Sequence, residues 1–183
     1  MNAPLATAAE IVAFWREAGA DKWFAKIKEF DDDIRRRFLA TYEAAAAGKL
    51  ASWEENAEGA LALLILLDQF PRNMFRGDPR AFATDPLARA VAERALARGF
   101  DQATDETMRA FFYLPFMHSE VLADHNRCVR LYEELGNADQ LKWAKLHRDI
   151  VEEFGRFPHR NRFLGRETTP AEQRFLDAGG FAG

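Results

Sequence analysis

Apolar residues recur at three- and four-residue spacing through almost every stretch of this chain, and no stretch alternates with period two long enough to make a convincing strand. A helix repeats its face about every 3.6 residues and a strand every two, so the pattern restricts the chain to an all-helical fold. Ile11, Phe14, Trp15 and Ala18 make one stripe. Phe30, Ile34, Phe38, Tyr42 and Ala45 make the next, up to Gly48 as a stop. Ser52, Trp53, Glu54 and Glu55 have capping-box spacing and are expected to start a third helix. That helix is apolar on every side over 60–67, which places it centrally.

Pro and Gly divide the rest. Pro71 is expected to end the central helix, because proline lacks the amide a helix interior needs. Residues 71–84, with Gly77 and Pro79, read as a loop. Asp85-Pro86 opens a helix running toward Gly99 on Val91, Ala92, Ala95 and Leu96. Thr104-Asp105 opens one carrying Met108, Phe111 and Phe112, with Pro115 inside it. Cys128, Leu131, Tyr132 and Leu135 precede a stop at Gly136. Trp143, His147, Ile150, Val151 and Phe154 precede a stop at Gly155. A second loop spans 155–168, and Thr169-Pro170-Ala171-Glu172 caps a last helix carrying Phe175 and Leu176. Short turns between helices favour antiparallel hairpins. The whole, 1–183, reads as a single all-helical domain of about eight helices.

A single cysteine, Cys128 on an apolar stripe, rules out an internal disulfide and fits a reducing compartment. A net charge of −4 gives no broad attraction for nucleic acid or anionic lipid, so neither nucleic acid nor membrane is an expected partner. Residues 1–10 lack the basic start and apolar run of a signal peptide, and the 60–67 run is far short of the roughly 20 residues that span a bilayer. A cytoplasmic protein is the expectation. Oligomeric state is not legible.

Two segments nearly repeat: Gln69-Phe70-Pro71-Arg72-Asn73 and Arg156-Phe157-Pro158-His159-Arg160-Asn161. Each follows helical sequence, and each presents a cation and an amide beyond a Phe-Pro step. Arg156, His159, Arg160, Arg162 and Arg166 crowd the second, while Arg72, Arg76 and Arg80 crowd the first. His118 and His147 sit among apolar neighbours, with Glu120 and Asp124 close by, and a buried polar group must find a partner. If the two segments meet, they make a cationic rim over a floor of His118, Glu120 and His147. Arginine forks favour carboxylate and phosphate. The ligand-binding candidates are therefore Asp68, Gln69, Arg72, Asn73, Arg156, His159, Arg160 and Asn161, and the catalytic candidates are His118, His147 and Glu120. The bland alternative is that each histidine is a satisfied core residue, and that Arg72 and Arg160 cap helix ends with Asp68 pairing to the former. His118, Glu120, Asp124, His147 and His159 could supply metal ligands, but no pair has the four-residue His spacing of a helical zinc site, so no metal is expected. His125 is expected near solvent at a helix start. Ser119 next to His118 does not make a dyad, since neighbours on a helix point apart. No phosphate-binding Gly-rich loop, His-Glu-x-x-His, Gly-x-Ser-x-Gly or dinucleotide fingerprint is present, and no cofactor is expected.

Three ordered motifs carry a resemblance. Leu67-Asp68-Gln69-Phe70-Pro71-Arg72-Asn73, then Phe112-Tyr113-Leu114-Pro115-Phe116-Met117-His118-Ser119-Glu120, then Phe154-Gly155-Arg156-Phe157-Pro158-His159-Arg160-Asn161 resemble the bacterial and fungal domain-of-unknown-function family 924. Phe82-Ala83-Thr84-Asp85 and Gly165-Arg166-Glu167-Thr168-Thr169-Pro170 also fit, so the resemblance runs from about Ile11 to the carboxyl end. It implies an all-helical fold similar to right-handed tetratricopeptide-type arrays. It brings no activity and no catalytic residues.

Three functions from different classes remain. A helical binding module would clamp a small anionic ligand or a carboxylate-bearing peptide in the Arg, His and Asn pocket. A hydrolase or transferase would use His118 or His147 as general base, oriented by Glu120 or Asp68. A structural scaffold would use the same motifs only to fix helix junctions.

Overall fold

The computed structural model describes residues 4–183. Residues 1–3, the start of the stretch read against a signal peptide, lie outside the described residues. Among the described residues every regular element is helical and no strand forms. None of these helices is long and apolar enough to cross a membrane. The chain divides into two compact units: residues up to Arg76 with Arg80–Pro115, and Gly77–Pro79 with Phe116–Gly183.

The first unit holds α1 (Ala8–Ala18), α2 (Ala20–Trp23), α3 (Lys28–Ala46), α4 (Ala57–Leu64), α5 (Phe70–Met74), α6 (Asp85–Ala97) and α7 (Glu106–Arg109). Thr7 caps α1 reciprocally with Glu10. The stripe expected on α3 is buried at Phe30, Ile34, Phe38, Tyr42 and Ala45. As the all-round apolar pattern predicts, α4 is central: it packs on α1 and α6, and every residue from Gly59 to Leu64 is buried. Phe70 stacks on Phe38 with ring centroids 5.0 Å apart and meets Trp15 edge-on at 5.6 Å, which ties α5 to the aromatic core.

Two sequence expectations are corrected here. Residues Ala51–Glu55 form a separate 3-10 turn, and α4 starts after Asn56, whose side chain accepts the Gly59 amide. The turn crosses α4 so closely that a Cβ on Gly59 would stand 2.1 Å from the Trp53 carbonyl oxygen. Pro71 does not end the central helix. The chain widens into a π turn over Ile65–Gln69 and continues as α5 to Met74, so the irregular segment begins at residue 75, and Pro79–Ala81 within it is a 3-10 turn. Proline at 71 leaves the Leu67 carbonyl without its helical amide. The Thr84 hydroxyl fills that vacancy at 2.6 Å, and Arg72 Nη1 donates to the Asp68 carbonyl at 2.6 Å. These outside donors let the helix pass through the proline.

α8 (Leu114–Met117) carries the boundary between units. The second unit continues with α9 (Leu122–Leu135), α10 (Ala138–Phe154), α11 (Asn161–Leu164) and α12 (Pro170–Asp177), making twelve α-helical segments among the described residues where about eight were expected. α9 and α10 pack as a hairpin across Gly136, left-handed at φ 73°, and Asn137, whose side chain caps α10. Gly155, at φ 70°, stops α10. The loop expected over 155–168 contains a 3-10 turn at Pro158–Arg160 and the single turn of α11. The expected capping box at Thr169 and Glu172 starts α12.

Candidate functional site

The two Phe-Pro segments lie in different units, and each is engaged within its own. In the first unit, Arg72 forks onto Asp85 at 2.9 and 3.0 Å and approaches buried Asp68 at 3.4 Å. Gln69 donates to Asp68, and Asn73 donates to Asp31 at 2.7 Å. Arg76 forks onto that same Asp31. These side chains hold the π turn and its flanks together.

The second segment is clamped more tightly. After Gly155 reverses the chain, Phe157 takes the extended conformation that a following proline favours, φ −91° and ψ 107°. Glu120 accepts the Phe157 amide at 2.8 Å and takes a two-point fork from Arg166 at 2.7 and 3.0 Å. Arg166 also donates to the Phe157 carbonyl and, through Nε, to Asn161 Oδ1 at 2.9 Å. Burial alone would raise the Glu120 carboxyl, but the Arg166 fork and the Phe157 amide outweigh it and hold it below the usual carboxylate range. Arg156 forks onto Glu172, and Asn161, fully buried, donates to that carboxylate. With Arg72 and Arg76 in the first unit, four of the arginines expected to form a free cationic rim are thus bound to carboxylates.

What the fork-clamped backbone supports is an aromatic hub. The fully buried Phe157 ring has three imidazoles about it, with centroids at 5.8 Å for His125, 5.5 Å for His147 and 5.7 Å for His159. The Arg160 guanidinium lies 4.6 Å from the same ring centroid, is 7% exposed, and donates to the carbonyl of His118 at 3.0 Å. The chain has four histidines, and this unit brings three of their rings around Phe157, while the fourth, His118, accepts from Arg160 through its carbonyl.

Two imidazole tautomers follow from their acceptors. A carbonyl only accepts, so His147 donates from Nδ1 to Trp143 at 2.8 Å and His125 donates from Nε2 to Ser119 at 2.7 Å. The other nitrogen of His125 is buried without a hydrogen-bond partner. Burial pushes His147 down to about 3, and the charges of His118, His125 and Arg160 push the same way, against the Trp143 carbonyl. Burial also lowers His125. Both rings are neutral at physiological pH.

Several expectations change. His125 is completely buried, because the inward face of α9 begins with Asp124 and His125, while Leu122 and Ala123 before them are exposed. His118 lies in the turn after α8 and Glu120 in the loop before α9, on no helical face. The Ser119 hydroxyl donates to Asp124 at 2.6 Å. Among the described residues no three His, Cys, Asp or Glu side chains gather as a metal-holding group. Cys128 is buried and its thiol is pushed up by that burial. Sequence reasoning missed Phe157 as the hub and Glu172 as a partner. It also missed Phe181, whose ring lies 4.5 Å from His147, 5.1 Å from His159 and 6.4 Å from Trp143. No pattern in the letters singled out Phe181, which falls after the last helical stripe.

This helical chain with its arginine-clamped histidine hub belongs to the family described as "Bacterial protein of unknown function (DUF924)", whose profile matches residues 11–180. It is similar to a solved structure, the protein of unknown function ATU0120 from Agrobacterium tumefaciens. The two are 53% identical, with a TM-score of 0.91 over 94% of this chain and 97% of that one. No curated protein matches the chain.

Proposed function

We propose that the second unit is a binding module for a small ligand or peptide end bearing a carboxylate or phosphate, with Arg160 as its anchor. The observation that carries this reading is the placement of Arg160: a guanidinium held nearly out of water against Phe157, among imidazoles that burial keeps neutral. A cation in so dry a setting interacts with an incoming anion far more strongly than a solvated one does. Arg156 and Arg166 support the site from behind by fixing Glu172 and Glu120. Relative to the wider rim read from the sequence, the proposal narrows the anchor to the second Phe-Pro segment. The cytoplasm fits the one buried cysteine.

Two observations bear on the other readings. A histidine held near 3 is a weak proton acceptor at neutral pH, so His147 gives the hydrolase or transferase reading little support. The scaffold reading draws on the first segment, where Arg72 and Thr84 satisfy the carbonyls around the π turn.

The test is thermal shift and calorimetry with inorganic phosphate, succinate and short peptides with free carboxyl ends. A saturable rise of a few degrees is expected, lost in Arg160→Gln, reduced in Arg160→Lys, and kept in Arg72→Gln. No rise with any of these probes, or one that survives Arg160→Gln, overturns the proposal. Circular dichroism of each variant checks that it is folded.

A further inference from the structure

We infer that the slot between Trp143, His147 and His159 is a receptor for an aromatic ring, that Phe181 is its tethered and exchangeable occupant, and that the ligand it takes is an aromatic carboxylate such as a peptide ending in phenylalanine. The carboxylate part of this inference rests on the proposed anion site at Arg160; the ring part does not.

The tether is built by the end of α12. Gly180 donates its amide to the Phe175 carbonyl at 3.0 Å and Gly179 donates to Leu176 at 3.1 Å, with Gly179 left-handed at φ 79°. That is the paired hydrogen-bonding of a Schellman stop, which reverses the chain at the end of a helix. Gly180 passes so close to Phe175 that a Cβ there would lie 2.6 Å from the ring. The stop therefore delivers residue 181 to one place, over α10.

The receiving surface sets three rings beside the buried cluster of Ile150, Val151 and Phe157, against which Phe181 also packs. Trp143 and His147 are one helical turn apart on α10, and His159 comes from the clamped Phe-Pro segment. Phe181 meets both imidazoles edge-on, the geometry aromatic pairs favour. Yet Phe181 stays half-buried, and Trp143 is 47% exposed. Beside the slot a cleft of about 300 Å³ is lined by Leu146, Ile150, Phe175 and Phe181, with the carboxylates Asp149 and Glu153 on its wall, so a ligand's own carboxylate must point away from it toward Arg160. A half-buried ring that meets two imidazoles edge-on and Trp143 at a tilt, at the mouth of an open cleft, is replaceable by another ring of the same shape. Arg160 shares the Phe157 hub with His147 and His159, which sets the anchor for a carboxylate near the slot.

A tethered occupant lowers the apparent affinity for a free one by the fraction of time it fills the slot. If Phe181 occupies it nine-tenths of the time, removing the ring tightens free-ligand binding about tenfold. The experiment titrates phenylacetate, acetate and benzyl alcohol into the full chain and into Phe181→Ala, reading the His147 and His159 imidazole resonances. Phe181→Leu, which keeps apolar volume without a ring, serves as the second variant. Phenylacetate is expected to shift both resonances saturably, about tenfold more tightly in Phe181→Ala than in the parent and by an intermediate factor in Phe181→Leu. Equal affinity in parent and Phe181→Ala, or no shift in either, overturns the slot. Benzyl alcohol that gains from Phe181→Ala, with acetate silent and phenylacetate no tighter than benzyl alcohol, keeps the slot and removes the anion anchor. Acetate and phenylacetate that bind alike and ignore Phe181→Ala keep the anchor and remove the slot.

Discussion

Arg156 grips both oxygens of Glu172, at 2.6 and 2.9 Å, and the same carboxylate accepts the Thr169 amide at 2.8 Å and the Asn161 side chain at 3.2 Å. One acidic residue thus completes the capping box of α12 and ties that helix to the second Phe-Pro segment. The fork and the cap outweigh burial and hold Glu172 down at about 2.

Glu172→Ala removes all of these acceptors. Glu172 is 2% exposed, but the Arg156 side chain left without it is 27% exposed and can be solvated, so the loss should be about 1–3 kcal/mol. Urea denaturation should show the midpoint drop. Glu172→Gln, which keeps a capping acceptor, should recover part of it. A wild-type midpoint in Glu172→Ala would mean that the fork contributes nothing net.

Thr84 and Pro71 are coupled through a carbonyl they share. Thr84→Val leaves the Leu67 oxygen buried without a donor and should cost about 1–3 kcal/mol. In a Pro71→Ala background residue 71 regains an amide, so the same substitution should cost less. A double-mutant cycle measures the difference, and strictly additive costs would break the link.

Gly59→Ala should destabilise by about 1–3 kcal/mol, although alanine is the better helix former, because the new methyl meets backbone rather than a movable side chain. A variant as stable as the parent would show that the 51–55 turn can move aside.

Acid should weaken the fold from near pH 6.5 downward. Unfolded His147 takes up a proton around 6.5, whereas the folded ring stays neutral to about 3. Below 6.5 the unfolded chain binds more protons, so stability is complete above 6.5 and is lost as pH falls toward 3. The slope approaches about 1.4 kcal/mol per pH unit for one such group. His125, also lowered by burial, adds in the same direction. Stability measured from pH 7.5 to 5 should fall, and His147→Gln should flatten the curve. A pH-independent midpoint over that range would contradict the burial of these rings.

Much of the fold was legible because helical spacing is a local property. The α3 stripe, the all-round apolar α4, the Gly136 and Gly155 stops and the Thr169 capping box all needed only neighbours along the chain. Pro71 misled because its consequence depends on Thr84, thirteen residues away and brought back by the fold. Charge misled in the same way. Arg156 and Arg166 read as a free cationic group, but their partners, Glu172 and Glu120, come from other elements. His147 was placed on its inward face correctly, while His125 was not, since within the first turn of α9 it shares the buried face with Asp124 rather than the exposed one with Leu122 and Ala123. The hub on Phe157 had no signature in the letters, because three histidines spread over 125–159 become neighbours only after α9, α10 and the segment beyond Gly155 have packed.

The π turn at Ile65–Gln69 also acts as a rotary offset. It holds one residue more than an α-turn needs, and each residue of an α-helix advances the side chains by about 100°. Deleting a single residue there would restore an unbroken helix but swing Phe70 off Phe38 and carry Asn73 away from Asp31. The phase between α4 and α5 is therefore set by a count of residues rather than by their identity. Substitutions in this stretch change stability by degrees, whereas a one-residue deletion would misalign every side chain that follows.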